Sequence, residues 1–209
     1  MRAVALFLSY VLHPVFALTW LISFFVFTQN YFSYFMSPVK KIFLLAAVFI
    51  FTVVLPLLNT FILKKFGYVK SLNMGTSQER FMPYVSTFIL HLGLLYILHD
   101  LAVPSFFKFV IFASAIVILV LIVLNFFTKV SAHATSAGGL FGSICFYEFI
   151  SYQPVLLPIC LCLALCGLSG FARLYLQEHT EKQVYAGFAA GTVTSLLCLF
   201  SMLFINYQF

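Results

Sequence analysis

A polytopic bundle of transmembrane α-helices is the fold class that this 209-residue sequence predicts, and three observations carry it. Hydrophobic residues make up 64% of the chain and charged residues 8%, against roughly 25% charged in an ordinary soluble domain. So few charges cannot clothe a water-exposed surface, so lipid must replace water as the main solvent. Apolar runs close to the ~20 residues that a helix needs to cross hydrocarbon recur along the chain. Those runs are continuous rather than alternating, and an open sheet edge cannot sit in hydrocarbon, which points away from strands.

On that length rule the spans fall at about 4–28, 42–63, 83–98, 106–127, 134–150, 155–171 and 184–206, seven in all. The first follows Arg2 and exceeds the roughly 7–15 residues of a signal-peptide core, with no small-x-small cleavage site after it, so it reads as a retained span. Its His13-Pro14 step predicts a kink. The second follows Lys40 and Lys41. The third opens at Pro83, and it and the fifth are short or dotted with polar residues, which makes six spans the alternative count. The fifth and seventh carry Gly138/Gly142 and Gly187/Gly191, small-residue pairs at the spacing that lets two helices approach closely. The whole chain, 1–209, reads as a single integral-membrane domain. Within it, 1–63 supplies two N-terminal spans and about 70–192 carries the chemistry described next.

The connections are short except for residues 64–82. With seven spans, the segments 64–82, 128–136 and 172–183 face the same side, because an even number of spans separates each from the next. They hold Lys70, Glu79 and Arg80, then Lys129, Ser131 and His133, then Arg173, His179 and Gln183. The opposite side offers only short segments around 29–41, 99–105 and 151–154. This asymmetry predicts one site assembled from three connections at one membrane face.

That residue set suits an oxyanion. Arginine forks bind phosphate bidentately, and a histidine attacks phosphorus or donates a proton to a leaving oxygen near neutral pH. No carboxylate cluster accompanies them, which disfavours a metal-dependent phosphatase, and the expected cofactor set is empty. Singly, each of these residues has a plainer reading as a snorkelling cation or a solvated loop histidine. The net charge of +6 belongs to basic residues lying mainly between apolar runs, with no basic stripe for nucleic acid.

The sequence resembles the type 2 phosphatidic acid phosphatase superfamily of membrane lipid phosphatases. Its pattern has three parts: Lys, six residues, Arg-Pro; then Pro-Ser-Gly-His; then Ser-Arg, five residues, His, three residues, Asp. This chain has Arg80 and Pro83 for the first, with Asn73 rather than lysine seven residues before Arg80 and Lys70 as the substitute. For the second it has Ser131-Ala132-His133, and for the third Ala172-Arg173, five residues, His179, three residues, Gln183. The resemblance covers about residues 70–192. It implies a metal-independent phosphoryl transfer from a lipid phosphate or prenyl pyrophosphate. In that scheme His179 forms a phosphohistidine, His133 protonates the leaving oxygen, and Arg80, Arg173, Ser131, Lys129 and Lys70 hold the phosphate. The residues themselves leave open which histidine attacks. The resemblance also implies residence in a bacterial cytoplasmic membrane.

Gln183 departs from the pattern, because an amide accepts a hydrogen bond from the attacking ring but brings no charge. Thr180-x-x-Gln183 also fits a capping box at the start of the last helix. The rivals to a phosphatase are therefore a relative that binds phospholipid headgroups without turnover, and a small transporter using His91, His99 and Asp100. Facing is open. The motif side holds eight basic residues against three, which puts it in the cytoplasm. Setting aside Lys70, Arg80, Lys129 and Arg173 as phosphate ligands leaves four against three. The five cysteines lie in apolar runs without a zinc-type repeat and read as buried free thiols.

Overall fold

The computed structural model describes residues 1–28, 30–70, 74–151 and 156–204, and every regular element among them is helical. Asn73, Gln29, residues 152–154 and the expected span ends at 155 and 205–206 lie outside these. Five helices are long and apolar enough to cross a membrane, or six with one bent pair.

The bent pair is α1 (Arg2–Val11) and α2 (Pro14–Phe27), which meet at 59°. The expected first span is therefore broken where the kink was predicted. Pro14 opens α2 at a position where its missing N–H costs nothing. His13 caps that helix, its Nδ1 accepting from the Val15 N–H at 3.3 Å. After the short α3 (Tyr31–Tyr34), α4 (Pro38–Phe49) passes through a π-helical stretch, Ile50–Val54, into α5 (Leu55–Lys65). Pro56 has no N–H to donate back one turn, and a widened turn just before it absorbs the mismatch. Thr52 in that turn meets Thr19 of α2, hydroxyl to hydroxyl, at 3.1 Å.

The remaining helices are α6 (Ser77–His99), α7 (Ser105–Phe127), α8 (Ala132–Ile150), α9 (Leu156–Tyr175) and α10 (Glu181–Phe204). Of these, α8 is not apolar enough to stand among the five. It is sheathed by α2, α7, α9 and α10, with 10 of its 19 residues buried, so neighbouring helices rather than lipid are its solvent. Three connections are shorter than the sequence suggested. Helix α6 starts at Ser77 rather than 83, capped by Thr76, whose hydroxyl accepts from the Glu79 N–H. Helix α8 starts at Ala132, capped by Ser131, and α9 runs on to Tyr175. The end of an apolar run marks where hydrocarbon stops, whereas capping side chains carry the helix beyond it.

Helices α8 and α10 form the most intimate pair, and the glycines explain why. A Cβ on Gly142 would meet the Thr192 carbonyl oxygen at 2.7 Å, and one on Gly187 the Ser131 carbonyl oxygen at 2.9 Å. Gly138 and Gly191 are tighter still, against the carbonyls of Phe188 and Thr135. Across the seam the Ser143 and Ser195 hydroxyls lie 2.8 Å apart. Gly191→Ala is expected to force the helices apart at a cost of about 1–3 kcal/mol or more. In a detergent thermal melt it should lower the midpoint, whereas Gly167→Ala, with nothing within 4 Å, should leave it unchanged.

Candidate active site

At one end of the bundle the connections before α6, α8 and α10 come together over a cavity of about 610 Å³. Arg80, His133, Arg173 and His179 all line it. Each is nearly buried by its neighbours, and each is delivered by a different local device.

Arg80 sits in the second turn of α6, with Pro83, Tyr84, Thr87 and His91 following at helical spacing along the same cavity wall. It is 5% exposed, and its Nε donates to the Met74 carbonyl at 2.9 Å. Tyr84, one turn on, lies against the guanidinium. His133 stands in the first turn of α8, where its Nε2 lies 3.1 Å from the Ser9 carbonyl. A carbonyl only accepts, so Nε2 carries the hydrogen.

Arg173 is in the last turn of α9. Its Nη1 donates to Ser9 Oγ at 2.7 Å and its Nη2 lies 3.6 Å from Glu178 Oε2. The Nε is buried with no partner among the described residues. The five residues between Arg173 and His179 form a helix C-cap. Gln177 takes the left-handed region (φ 56°), and the Glu178 N–H donates back to the Arg173 carbonyl at 3.2 Å. Such a turn reverses the chain directly past the helix end, which folds His179 back toward Arg173.

His179 is 7% exposed and precedes the N-cap of α10. Its Nδ1 lies 3.2 Å from Gln183 Oε1, which also accepts from the Thr180 N–H at 3.2 Å. The Gln183 N–H donates in turn to Thr180 Oγ1 at 3.4 Å. One Gln183 oxygen therefore closes the capping box and meets the ring at the same time. Because an amide oxygen only accepts, Nδ1 carries the hydrogen of the neutral ring and Nε2 keeps its lone pair.

Burial first, then the Arg80 guanidinium, holds the His179 imidazole down at about 4; Arg173 and Lys129 add to this, and the Gln183 hydrogen bond opposes it. Lys129 is pushed below its usual range by burial and then by Arg80, against the pull of Glu178. It stands in the same field of charge without lining the cavity. Glu178 is the sole carboxylate on a cavity wall that carries two arginines, so the field favours an incoming anion.

Three expected phosphate ligands are not at the cavity. Ser131 is fully buried, with its Oγ accepting from the Ala134 N–H at 3.4 Å and its own N–H donating to the Gln183 carbonyl at 3.3 Å. It caps α8 and ties α8 to α10 instead of facing the cavity. Neither Lys129, which feels the charges of Arg80, Glu178 and Arg173, nor the exposed Lys70 lines the cavity. Conversely, Ser9, His13, Tyr84 and Glu178 line the cavity. Ser9 and His13 are polar groups four residues apart inside an apolar run, a spacing that puts both on one side of a helix and could have flagged them. His91 also lines the cavity, its Nδ1 donating to the Thr87 carbonyl at 2.8 Å. His99 and Asp100 pair at 2.7 Å on the exposed far end of α6.

Below the charged mouth the walls become mainly apolar, with Leu18, Leu21, Val110, Val117, Leu121 and Leu140, interrupted by His91, Ser114, Ser143 and Ser195. Among the described residues no three His, Cys, Asp or Glu side chains group as a metal site, and the five cysteines are free. Compared with family models, curated proteins and solved structures, the chain matches none, so a functional reading rests on these residues.

The His179 geometry gives a pH expectation. Nε2 has a free lone pair only while the ring is neutral, and in a reaction that used it kcat/KM would report the ring of the free protein. The acid limb should therefore fall as pH drops through about 4 rather than through the usual 6.5. Gln183→Glu keeps the reach to both Thr180 and His179 and adds a negative charge beside the ring. It should move that limb to higher pH, because a negative charge beside the ring favours its protonated form. An unmoved limb would mean that His179 does not set it.

Proposed function

We propose that the chain is a membrane-embedded, metal-independent phosphatase of the type 2 phosphatidic acid phosphatase kind, acting on a lipid phosphate or prenyl pyrophosphate. The observation that carries this is the meeting of Arg80, His133, Arg173 and His179 on one cavity whose deeper walls are mainly apolar. The phosphate oxygens rest on the two guanidinium groups. His179 Nε2 attacks phosphorus, the bond to the lipid oxygen breaks, and His133, entering the step as the imidazolium beside the bound phosphate, passes a proton to that oxygen and is left neutral. Water then opens the phosphohistidine, giving a proton to His133 and releasing phosphate. The lipid tail runs down between α2, at Ala17 and Leu21, and α5, at Leu57 and Phe61.

In this reading the chain crosses the membrane seven times, with the bent α1–α2 pair counted once and the sheathed α8 included. The membrane is the cytoplasmic membrane of a bacterium, and the site opens at one of its faces. Gln183, an amide where the family pattern has a carboxylate, favours one rival: a headgroup binder without turnover.

The test is phosphate release by the detergent-purified protein from phosphatidate, phosphatidylglycerol phosphate and undecaprenyl pyrophosphate, with and without a chelator. Release from at least one substrate, unchanged by chelator, is expected. Headgroup binding with no release from any of them favours the rival.

A further inference from the structure

The N-terminal helix pair reaches into the site from the side that the sequence motifs do not cover. Ser9, near the end of α1, touches two of the four residues at the cavity mouth. Its carbonyl lies 3.1 Å from His133 Nε2, and its Oγ receives the Arg173 Nη1 hydrogen bond at 2.7 Å. His13, across the break, lies edge-on to His133 with ring centroids 5.2 Å apart. Both Ser9 and His13 line the cavity, and Ser131 does not.

The hydrogen accounting points outward from both residues. Arg173 donates into Ser9 Oγ, and His133 Nε2 already bears its own hydrogen, so neither accepts the hydroxyl proton. That proton is available to an anion held by Arg173. His13 Nδ1 accepts from the Val15 N–H, so the hydrogen of the neutral ring sits on Nε2, a second donor on the same wall.

We propose that Ser9 and His13 are phosphate-contacting residues of this site, with Ser9 supplying the hydroxyl donor that buried Ser131 cannot. This rests on the phosphatase reading of the cavity. The break between α1 and α2 then has a purpose: it turns two residues of an apolar segment toward the anion.

Binding of orthovanadate to the detergent-purified chain tests it by titration calorimetry. Ser9→Ala and His13→Asn are each expected to weaken binding about tenfold, the scale of one hydrogen bond to a charged group. Asparagine at 13 keeps a side-chain acceptor for the α2 cap, and Ser9→Thr, which keeps a hydroxyl, should bind like the wild type. In an Arg173→Lys background Ser9→Ala should retain its tenfold effect, whereas a residue acting only through Arg173 would lose it. If Arg173→Ala removes binding while Ser9→Ala and His13→Asn stay within twofold of wild type, the proposal is overturned and the phosphatase reading stands. If the wild type binds no orthovanadate, both fall.

Discussion

His179→Ala is expected to reduce lipid phosphate hydrolysis by about 10⁴-fold or more, the scale on which removal of a nucleophile is felt. The expectation follows from the tautomer. Gln183 Oε1 accepts from Nδ1, which leaves Nε2 as the one ring atom with a lone pair. Water from the cavity cannot replace it, because attack needs a nucleophile held against phosphorus rather than one diffusing past it. On the proposed mechanism the loss should appear in kcat, with KM little changed, since Arg80 and Arg173 would still be present to hold the phosphate. The fold should survive, because the capping box keeps the Thr180 contacts without the ring. Full activity in this variant would remove His179 from the mechanism.

Arg173→Ala should cost about 10²–10³ in kcat/KM, as expected when charge-assisted bonds to a phosphate in a water-poor site are lost. It carries an added penalty: Glu178, at 3.6 Å, loses its partner and turns the local field against an anion. Arg173→Lys should recover only part of the loss, because an ammonium cannot span Ser9, Glu178 and a phosphate oxygen at once as the planar fork does. Steady-state kinetics of the three proteins on one substrate distinguish these outcomes. An alanine variant within tenfold of wild type would mean that the phosphate lies elsewhere.

Much of the architecture was legible because hydrophobic length is a coarse and robust signal. The runs that became α7, α9 and α10 needed only counting, and the kink at Pro14 and the close seam at Gly138, Gly142, Gly187 and Gly191 followed from single residues with one strong physical effect. Helix ends were less legible. Arg80, His133 and Arg173 read as loop residues because polarity resumes around them, yet Thr76 and Ser131 cap helices that enclose the first two, and α9 continues past the third. Only His179 sits in a connection, between α9 and α10.

The site was legible where motif spacing reflects local geometry. Arg173 and His179 lie one C-cap turn apart, and Gln183 is one helical turn past His179. It was illegible where a residue's motif position and its contacts diverge. Ser131 has the sequence position of a ligand, but its hydroxyl is used by the α8 backbone. Ser9 lies 164 residues from Arg173, and only the packing of α1 on α9 brings the two together. Contacts of that separation leave no trace in periodicity.

The central claim is that a phosphoryl group rests on His179 during turnover. Its most direct measurement is a quench in alkaline denaturant after brief incubation with a lipid bearing radiolabelled phosphate, followed by peptide mapping of the label at alkaline pH. An acid-labile, base-stable phosphoryl group on the peptide containing His179, absent from His179→Ala, is the predicted result. Steady hydrolysis with no label retained on His179 under any quench would contradict it.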